Sequence, residues 1–335
     1  YNGHREKMRV ICKEDLLEPL NRAALKIAKG VADNPGKGKE KNLLAGNISN
    51  TNIWDSNDKN KQKEVRGMFA EMIGWALDEG ALVSPEEVAL RVIAPYGSFG
   101  LYETAISGTL SQCSGWASAS KECVAASDGI PIISVGARHI HPNIAGIMDY
   151  SAIIGGCVSC STSLGAKLAG STANGTLSPN VPLIMEETLR AMQAFDKHVP
   201  QEVPRVAPVS IIKDEMEESL GLAKGLRQRL RGVLLDSASI HGGITSTMTK
   251  EIRARLDLAG YTHIEIFLTG GLNPQTISTF VAQNAPVNGF EVGSYISGAT
   301  PQPFTAAIHE VEGKAVAKRG RIPGNSQNPR LIQII

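Results

Sequence analysis

One feature constrains this chain more than any other: short apolar runs alternate with amphipathic segments over its C-terminal two thirds. The runs are residues 130–135, 206–212, 232–236, 264–269 and 287–292, and helical patterns over 214–230 and 247–258 separate some of them. A strand that shows no polar alternation is covered on both faces, and a helix between two such strands is the crossover of a parallel βαβ unit. Five or more such units in succession define either an α/β barrel or a doubly wound sheet. Periodicity does not separate the two.

The N-terminal third has a different pattern. Leu16, Leu17, Leu20, Ala24, Leu25 and Ala28 recur at helical spacing, residues 43–48 form a short apolar strand, and Val65, Met68, Phe69, Met72, Ile73, Ala76 and Leu77 make the stripe of a second amphipathic helix. Residues 87–93 alternate as a strand, and 101–126 are helical despite scattered Gly and Ser. The chain divides into a helix–strand–helix segment, 1–82, and an α/β body, 83–335.

Composition excludes several function classes. With 34 basic and 33 acidic residues the net charge is +1, without the basic surplus of a general nucleic-acid binder, and 5% aromatics leave little surface for base stacking. No apolar run reaches the roughly 18 residues of a membrane span. Five dispersed cysteines do not form a disulfide framework and point to a reducing, cytoplasmic setting. The start Tyr1-Asn2-Gly3-His4-Arg5 reads as an internal fragment.

The chemistry gathers where strands end. Thr269-Gly270-Gly271-Leu272 and Gly293-Ser294-Tyr295 each follow a strand directly. Glycines there let backbone N–H groups approach an anion, and in an α/β barrel the loops after the last two strands often bind phosphate. The same glycines would also serve simple tight turns. Arg138, His139 and His141 follow the strand at 130–135, where Arg suits a carboxylate or phosphate and His can hold an anion or move a proton. The alternative is a surface loop leading to a helix that begins at Pro142. Asp236 ends its strand similarly and could hold ribose hydroxyls or a metal, or merely cap a turn. Cys157-Val158-Ser159-Cys160, without a second pair, reads as buried structural thiols rather than a metal site.

Over about 83–324 the chain resembles the nicotinate phosphoribosyltransferase family. The resemblance is carried by Pro95-Tyr96-Gly97-Ser98-Phe99-Gly100-Leu101-Tyr102-Glu103-Thr104, residues 136–142, Ile153-Ile154-Gly155-Gly156-Cys157, 232–236, 267–274, Val292-Gly293-Ser294 and Ala317-Lys318-Arg319-Gly320. It implies an incomplete TIM-like α/β barrel with flanking elements, nicotinate and phosphoribosyl pyrophosphate as substrates, Mg²⁺, possible use of ATP, and a homo-oligomer. It further implies that Arg138 and His141 hold a carboxylate or phosphate and that Asp236 holds the ribose or Mg²⁺. Gly270, Gly271, Gly293 and Ser294 would cradle the 5′-phosphate, with Tyr102 and Thr104 at the base. The chain departs from the family at Pro179, where a histidine linked to ATP-driven phosphorylation is expected, and at Ser210, Leu234 and Glu291.

Residues 1 to about 80 are similar to an inner fragment of homocysteine S-methyltransferases, through residues 1–9, 14–29 and Ala45-Gly46-Asn47-Ile48-Ser49-Asn50-Thr51-Asn52. The three zinc thiolates of that family are not supplied in order, so methyl transfer is set aside. On this reading the chain is a chimera.

Overall fold

A computed structural model describes residues 73–236, 240 and 242–333. The N-terminal helix, loop and strand expected before residue 73, the methyltransferase resemblance and most of the 1–82 segment lie outside the described residues. The described residues fall into two compact units, one within 1–111 and 302–335 and one within 112–301.

In the first unit, strands Ile73–Ala76, Leu90–Ile93 and Ile332–Gln333 form an antiparallel sheet with Ile73–Ala76 in the middle. The helical stripe expected through Leu77 therefore gives way to a strand at its C-terminal end. Pairing of Ile73 with Ile93 and of Ala76 with Leu90 overrides the helical spacing. The strand expected over 87–93 starts only at Leu90, because the Glu87 carboxylate is taken up outside the ladder. It accepts from Ser84 N–H at 2.9 Å and pairs with Arg330 at 2.8 Å.

Helix α1 (Glu103–Ala126) leads into the second unit. There the strands are β1 (Ile132–Ser134), β2 (Ser159–Cys160), β3 (Val206–Val209), β4 (Gly232–Leu235), β5 (Glu265–Leu268) and β6 (Gly289–Val292). They make one six-stranded parallel sheet in the order β2-β1-β6-β5-β4-β3. Each strand pairs with its successor in sequence except β2 with β3, and the first strand pairs with the last.

Crossovers are made by α2 (Pro142–Ile154), α3 (Ser163–Leu168), α4 (Asn180–Met185), α5 (Thr188–His198), α6 (Glu215–Leu226), α7 (Ser246–Leu258) and α8 (Pro274–Ala282). Local sequence sets their starts. Asp214 caps α6 through Met216 and Glu217 N–H, Thr245 caps α7, and Asn273 with Thr276 closes a capping box on α8.

One face of the sheet packs against the helices through Ala207, Val209, Val233, Leu235, Ile266, Leu268, Phe290 and Val292. Strand alternation turns Val206, Leu234 and Phe267 to the opposite face, where they form their own apolar cluster. Glu291, paired in register with Ile133, shares that second face.

The Cys-x-x-Cys segment is packed interior. Cys157 and Cys160 are buried, and burial pushes their thiols up to about 12 and about 11. The neighbouring Asp149 carboxylate is fully engaged: it accepts from Ser134 Oγ at 2.7 Å, Thr162 N–H at 2.8 Å and Ser161 Oγ at 3.2 Å.

Candidate functional site

All six strands point the same way, so their C-terminal ends share one edge of the sheet. Asp236 follows β4, Thr269-Gly270-Gly271 follows β5, and Gly293 with the single helical turn α9 (Ser294–Ser297) follows β6. After β1 comes a 3₁₀ turn, Gly136–His139, carrying Arg138 and His139. Parallel neighbours lie about 5 Å apart, so the two glycine turns, on hydrogen-bonded strands, leave the sheet side by side.

Contacts within this edge are close. A Cβ on Gly270 would stand 2.6 Å from Asp236 Oδ1, which seats the carboxylate directly on that glycine's backbone. Gly270 and Gly271 both have positive φ, 89° and 63°. A Cβ on Gly293 would meet the His139 ring at 3.0 Å, and one on Gly136 would meet the Gly293 carbonyl at 3.0 Å. Thr269 Oγ1 donates to the Glu291 carbonyl at 3.1 Å, joining the ends of β5 and β6. The amide N–H groups of Gly270, Gly271, Gly293 and Ser294 find no acceptor among the described residues.

Glu291 changes the electrostatics of the edge. It is only 5% exposed and makes no hydrogen bond through its carboxylate among the described residues. Burial pushes its pKa up to about 7; the Asp236 carboxylate adds to the rise and the Arg138 guanidinium opposes it. A carboxylate in a low-dielectric setting beside a second carboxylate resists ionisation.

The sequence-expected residues thus divide. Asp236, Gly270, Gly271, Gly293, Ser294 and Arg138 come to one edge of the sheet, with Asp236 and Arg138 exposed. His141 is the N-cap of α2: its Nδ1 accepts from Asn143 N–H at 3.2 Å, leaving Nε2 as its outward edge. The helix beginning at Pro142 is thereby present, and the histidine's first role is structural. Tyr102 closes a 3₁₀ turn (Gly100–Tyr102) and Thr104 lies exposed in the first turn of α1, both within the other compact unit. Sequence reasoning undervalued His139, whose ring rests on the Gly293 turn; only its spacing from β1 signalled it. Of the departures, Leu234 packs in the apolar cluster with Val206 and Phe267, and Pro179 precedes α4. Ser210 adopts a φ of 72° while its hydroxyl donates to Glu215.

Among the described residues no group of three or more His, Cys, Asp or Glu side chains is placed to hold a metal ion. No described helix is long and apolar enough to cross a membrane.

A parallel α/β sheet with glycine turns and a basic residue at its strand exits is an arrangement in which phosphate sites recur. The sequence pattern of the quinolinate phosphoribosyl transferase C-terminal domain matches residues 116–305, more than half of the 335 residues, and the chain belongs to that family. It is 28% identical over 269 residues to nicotinate phosphoribosyltransferase pncB2 of Mycobacterium tuberculosis, covering 77% of this chain and 57% of that protein. The Bacillus subtilis nicotinate phosphoribosyltransferase is 24% identical over 250 residues, covering 72% of this chain and 50% of its own length. Among solved structures, nicotinate-nucleotide pyrophosphorylase from Pyrococcus furiosus is similar at 38% identity and a TM-score of 0.71, with 76% of this chain and 65% of that one covered. NadC from Streptococcus pyogenes shares the fold at 17% identity and a TM-score of 0.54, covering 72% of this chain and 76% of that one. The chain therefore spans about half of the curated relatives' length.

Proposed function

We propose that this chain carries the site of a nicotinate phosphoribosyltransferase-like enzyme of NAD biosynthesis, which joins nicotinate to phosphoribosyl pyrophosphate and releases pyrophosphate. The observation that supports it most directly is the meeting of two glycine turns, Asp236 and Arg138 at one edge of a parallel sheet. The strand order supports an incomplete α/β barrel: first and last strands pair, and the opening falls between β2 and β3.

On this reading the N–H groups of Gly270, Gly271, Gly293 and Ser294 take the 5′-phosphate, since among the described residues they have no acceptor to give up. Arg138 holds the nicotinate carboxylate or a phosphate through its planar fork, and His141 can offer only Nε2. Asp236 orients the ribose. Tyr102 and Thr104 as base-site residues rest on the family resemblance alone.

Magnesium fits this edge as an ion that arrives with the substrate. Mg²⁺ is commonly held by one or two carboxylates plus substrate phosphates, and Asp236 is the exposed carboxylate available at the strand exits. When bound it would neutralise charge on the departing pyrophosphate. With Pro179 at the expected histidine position, no residue here is assigned an ATP-linked role.

The reaction builds positive charge at the ribose C1, by analogy with glycoside chemistry. Removing one well-placed electrostatic group typically costs about 3–4 kcal/mol of barrier, on the order of 100- to 1000-fold in rate. Purified protein with nicotinate, phosphoribosyl pyrophosphate and Mg²⁺, with and without ATP, is expected to release pyrophosphate above a heat-killed control. Asp236→Asn should reduce that release by about two to three orders of magnitude. No release above the control sinks the enzymatic reading.

A second reading is a sugar-phosphate binder without turnover, and Glu291 favours it. A carboxylate about 5 Å from a phosphate adds roughly 3 kcal/mol of repulsion per unit charge at an effective dielectric of about 20. Ligand-induced thermal stabilisation without pyrophosphate release would decide for the binder. Homo-oligomerisation belongs to the same proposal, and light scattering on the purified chain tests it.

A further inference from the structure

The turn that follows β6 is too short to hold its own shape. α9 has four residues, and isolated helices far longer than this are marginal in water. Its geometry must come from what it is tied to, and α1 supplies the ties. A Cβ on Gly115 would stand 2.5 Å from the Thr300 carbonyl, so the chain leaving the turn runs directly against the helix backbone. Trp116, buried, donates from Nε1–H to the Ser297 carbonyl at 3.2 Å. Two turns further along α1, Glu122 Oε2 accepts from the Tyr295 hydroxyl at 2.5 Å. Eight residues of helix, a rise of about 10 Å, thus grip Thr300, Ser297 and Tyr295 in reverse order. From the other side, Gly136 lies against Ser297 and the Gly293 carbonyl.

We propose that Glu122 and Tyr295 are positioning residues: their hydrogen bond sets the tilt of the Ser294–Ser297 turn and so aims the Gly293 and Ser294 amides at a sugar phosphate. The inference deepens the transferase reading and rests on it for the identity of the ligand. Neither side chain needs to touch that ligand. The buried Trp116 bond fixes one end of the turn, while the Tyr295 bond fixes the residue adjoining the phosphate-facing amides. The accepted hydrogen bond also holds the Tyr295 phenol protonated, pushed up to about 12, so the donor persists throughout the neutral range.

Isothermal titration of the full chain tests this, with phosphoribosyl pyrophosphate plus Mg²⁺ as one probe and nicotinate as the other. Tyr295→Phe and Glu122→Ala are expected to weaken phosphoribosyl pyrophosphate binding about tenfold, the share of one exposed charge-assisted hydrogen bond. Nicotinate binding and the melting temperature should hardly move. Glu122→Gln keeps an acceptor oxygen and should restore binding to within about twofold of wild type. In turnover the same loss should appear in KM for phosphoribosyl pyrophosphate more than in kcat.

Wild-type affinity in Tyr295→Phe, or a Glu122→Gln as weak as Glu122→Ala, overturns the proposal. So does an equal loss for both probes accompanied by a fall in melting temperature. Should wild type bind no phosphoribosyl pyrophosphate, the transferase reading has failed, and amide hydrogen exchange over residues 294–297 decides the brace by itself. Faster exchange in Tyr295→Phe and Glu122→Ala, but not in Glu122→Gln, sustains it; unchanged exchange ends it.

Discussion

At the edge where the strands of the parallel sheet begin, charged side chains already have partners; at the edge where they finish, Arg138, Asp236 and Glu291 make no side-chain hydrogen bond or ion pair among the described residues. Ahead of β3, Arg205 donates to Asp196 at 3.0 Å and to the carbonyls of Pro200 and Val199 at 2.7 and 2.8 Å, and Arg229 also pairs with Asp196. Arg231 bridges to Glu265 at 2.9 Å, and Arg253 donates to the carbonyls of Tyr261 and Ile264 around the start of β5. Asn288 accepts from Ile266 N–H at 2.8 Å. One edge is closed by internal satisfaction. The other leaves these polar groups without internal partners among the described residues, and on the proposed reading a bound ligand there would add stability.

Substitutions at the two edges should accordingly separate stability from ligand response. The largest effect is expected from Arg205→Ala. Both Arg205 and Asp196 have nearly buried side chains, 6% and 11% exposed. Removing Arg205 strips the buried Asp196 carboxylate of one of its two guanidinium partners, Arg229 being the other, and leaves several carbonyls without donors. That loss should lower unfolding free energy by about 3–5 kcal/mol, measured by urea denaturation. Residual folded protein should keep its affinity for phosphoribosyl pyrophosphate. A stability change below about 1 kcal/mol would mean that the closed edge is ornamental.

Glu291→Gln should act in the opposite direction. The folded-state pKa of Glu291 is raised from 4.5 to about 7, so the folded chain holds this proton longer than the unfolded chain does. Stability from this group is therefore fully present below pH 4.5, falls as pH rises to about 7, and is flat above. The substitution should stabilise the protein at pH 8 by up to about 3 kcal/mol, at 1.36 kcal/mol per pKa unit, and scarcely at pH 4.5. It should also strengthen phosphate-ester binding at pH 8 by removing a like charge. Parallel melting curves of both proteins from pH 4.5 to 8 check this; curves that never diverge would place Glu291 outside the charged edge.

The parallel sheet was largely legible in sequence because β3 to β6 lie in mostly apolar runs and α6 and α7 carry an apolar stripe and a cap. The expected runs overshot by one to three residues where main-chain pairing stops short of the hydrophobic pattern, as at Val209, after which Ser210 turns to positive φ. β2 was hidden, since two residues of Ser and Cys carry no periodicity. The strand at Ile73–Ala76 was read as helix because its partners lie near residues 90 and 332, contacts that no local window contains. At the open edge, the glycines and charges expected after strands do lie at the strand exits of the sheet. The face taken by Glu291 had to wait for the register with Ile133, and the capping duty of His141 for the geometry of α2.

The finest test lies between two adjacent glycines. Gly270 and Gly271 both have positive φ, so alanine at either position should cost about 1–2 kcal/mol through the backbone alone. Their surroundings differ. A methyl group on Gly271 would meet nothing within 4 Å, whereas one on Gly270 would press on Asp236 Oδ1 from 2.6 Å. Gly270→Ala and Gly271→Ala should therefore melt at similar temperatures, while only Gly270→Ala displaces the Asp236 carboxylate. In that variant pyrophosphate release should fall toward the level of Asp236→Asn, and the further substitution Asp236→Asn should then add little, because neighbours that act together are not additive. Equal release from the two alanine variants would show that Asp236 is placed by something other than the bare backbone of Gly270. The open edge would then lose the contact that ties its acid to the Gly270-Gly271 turn.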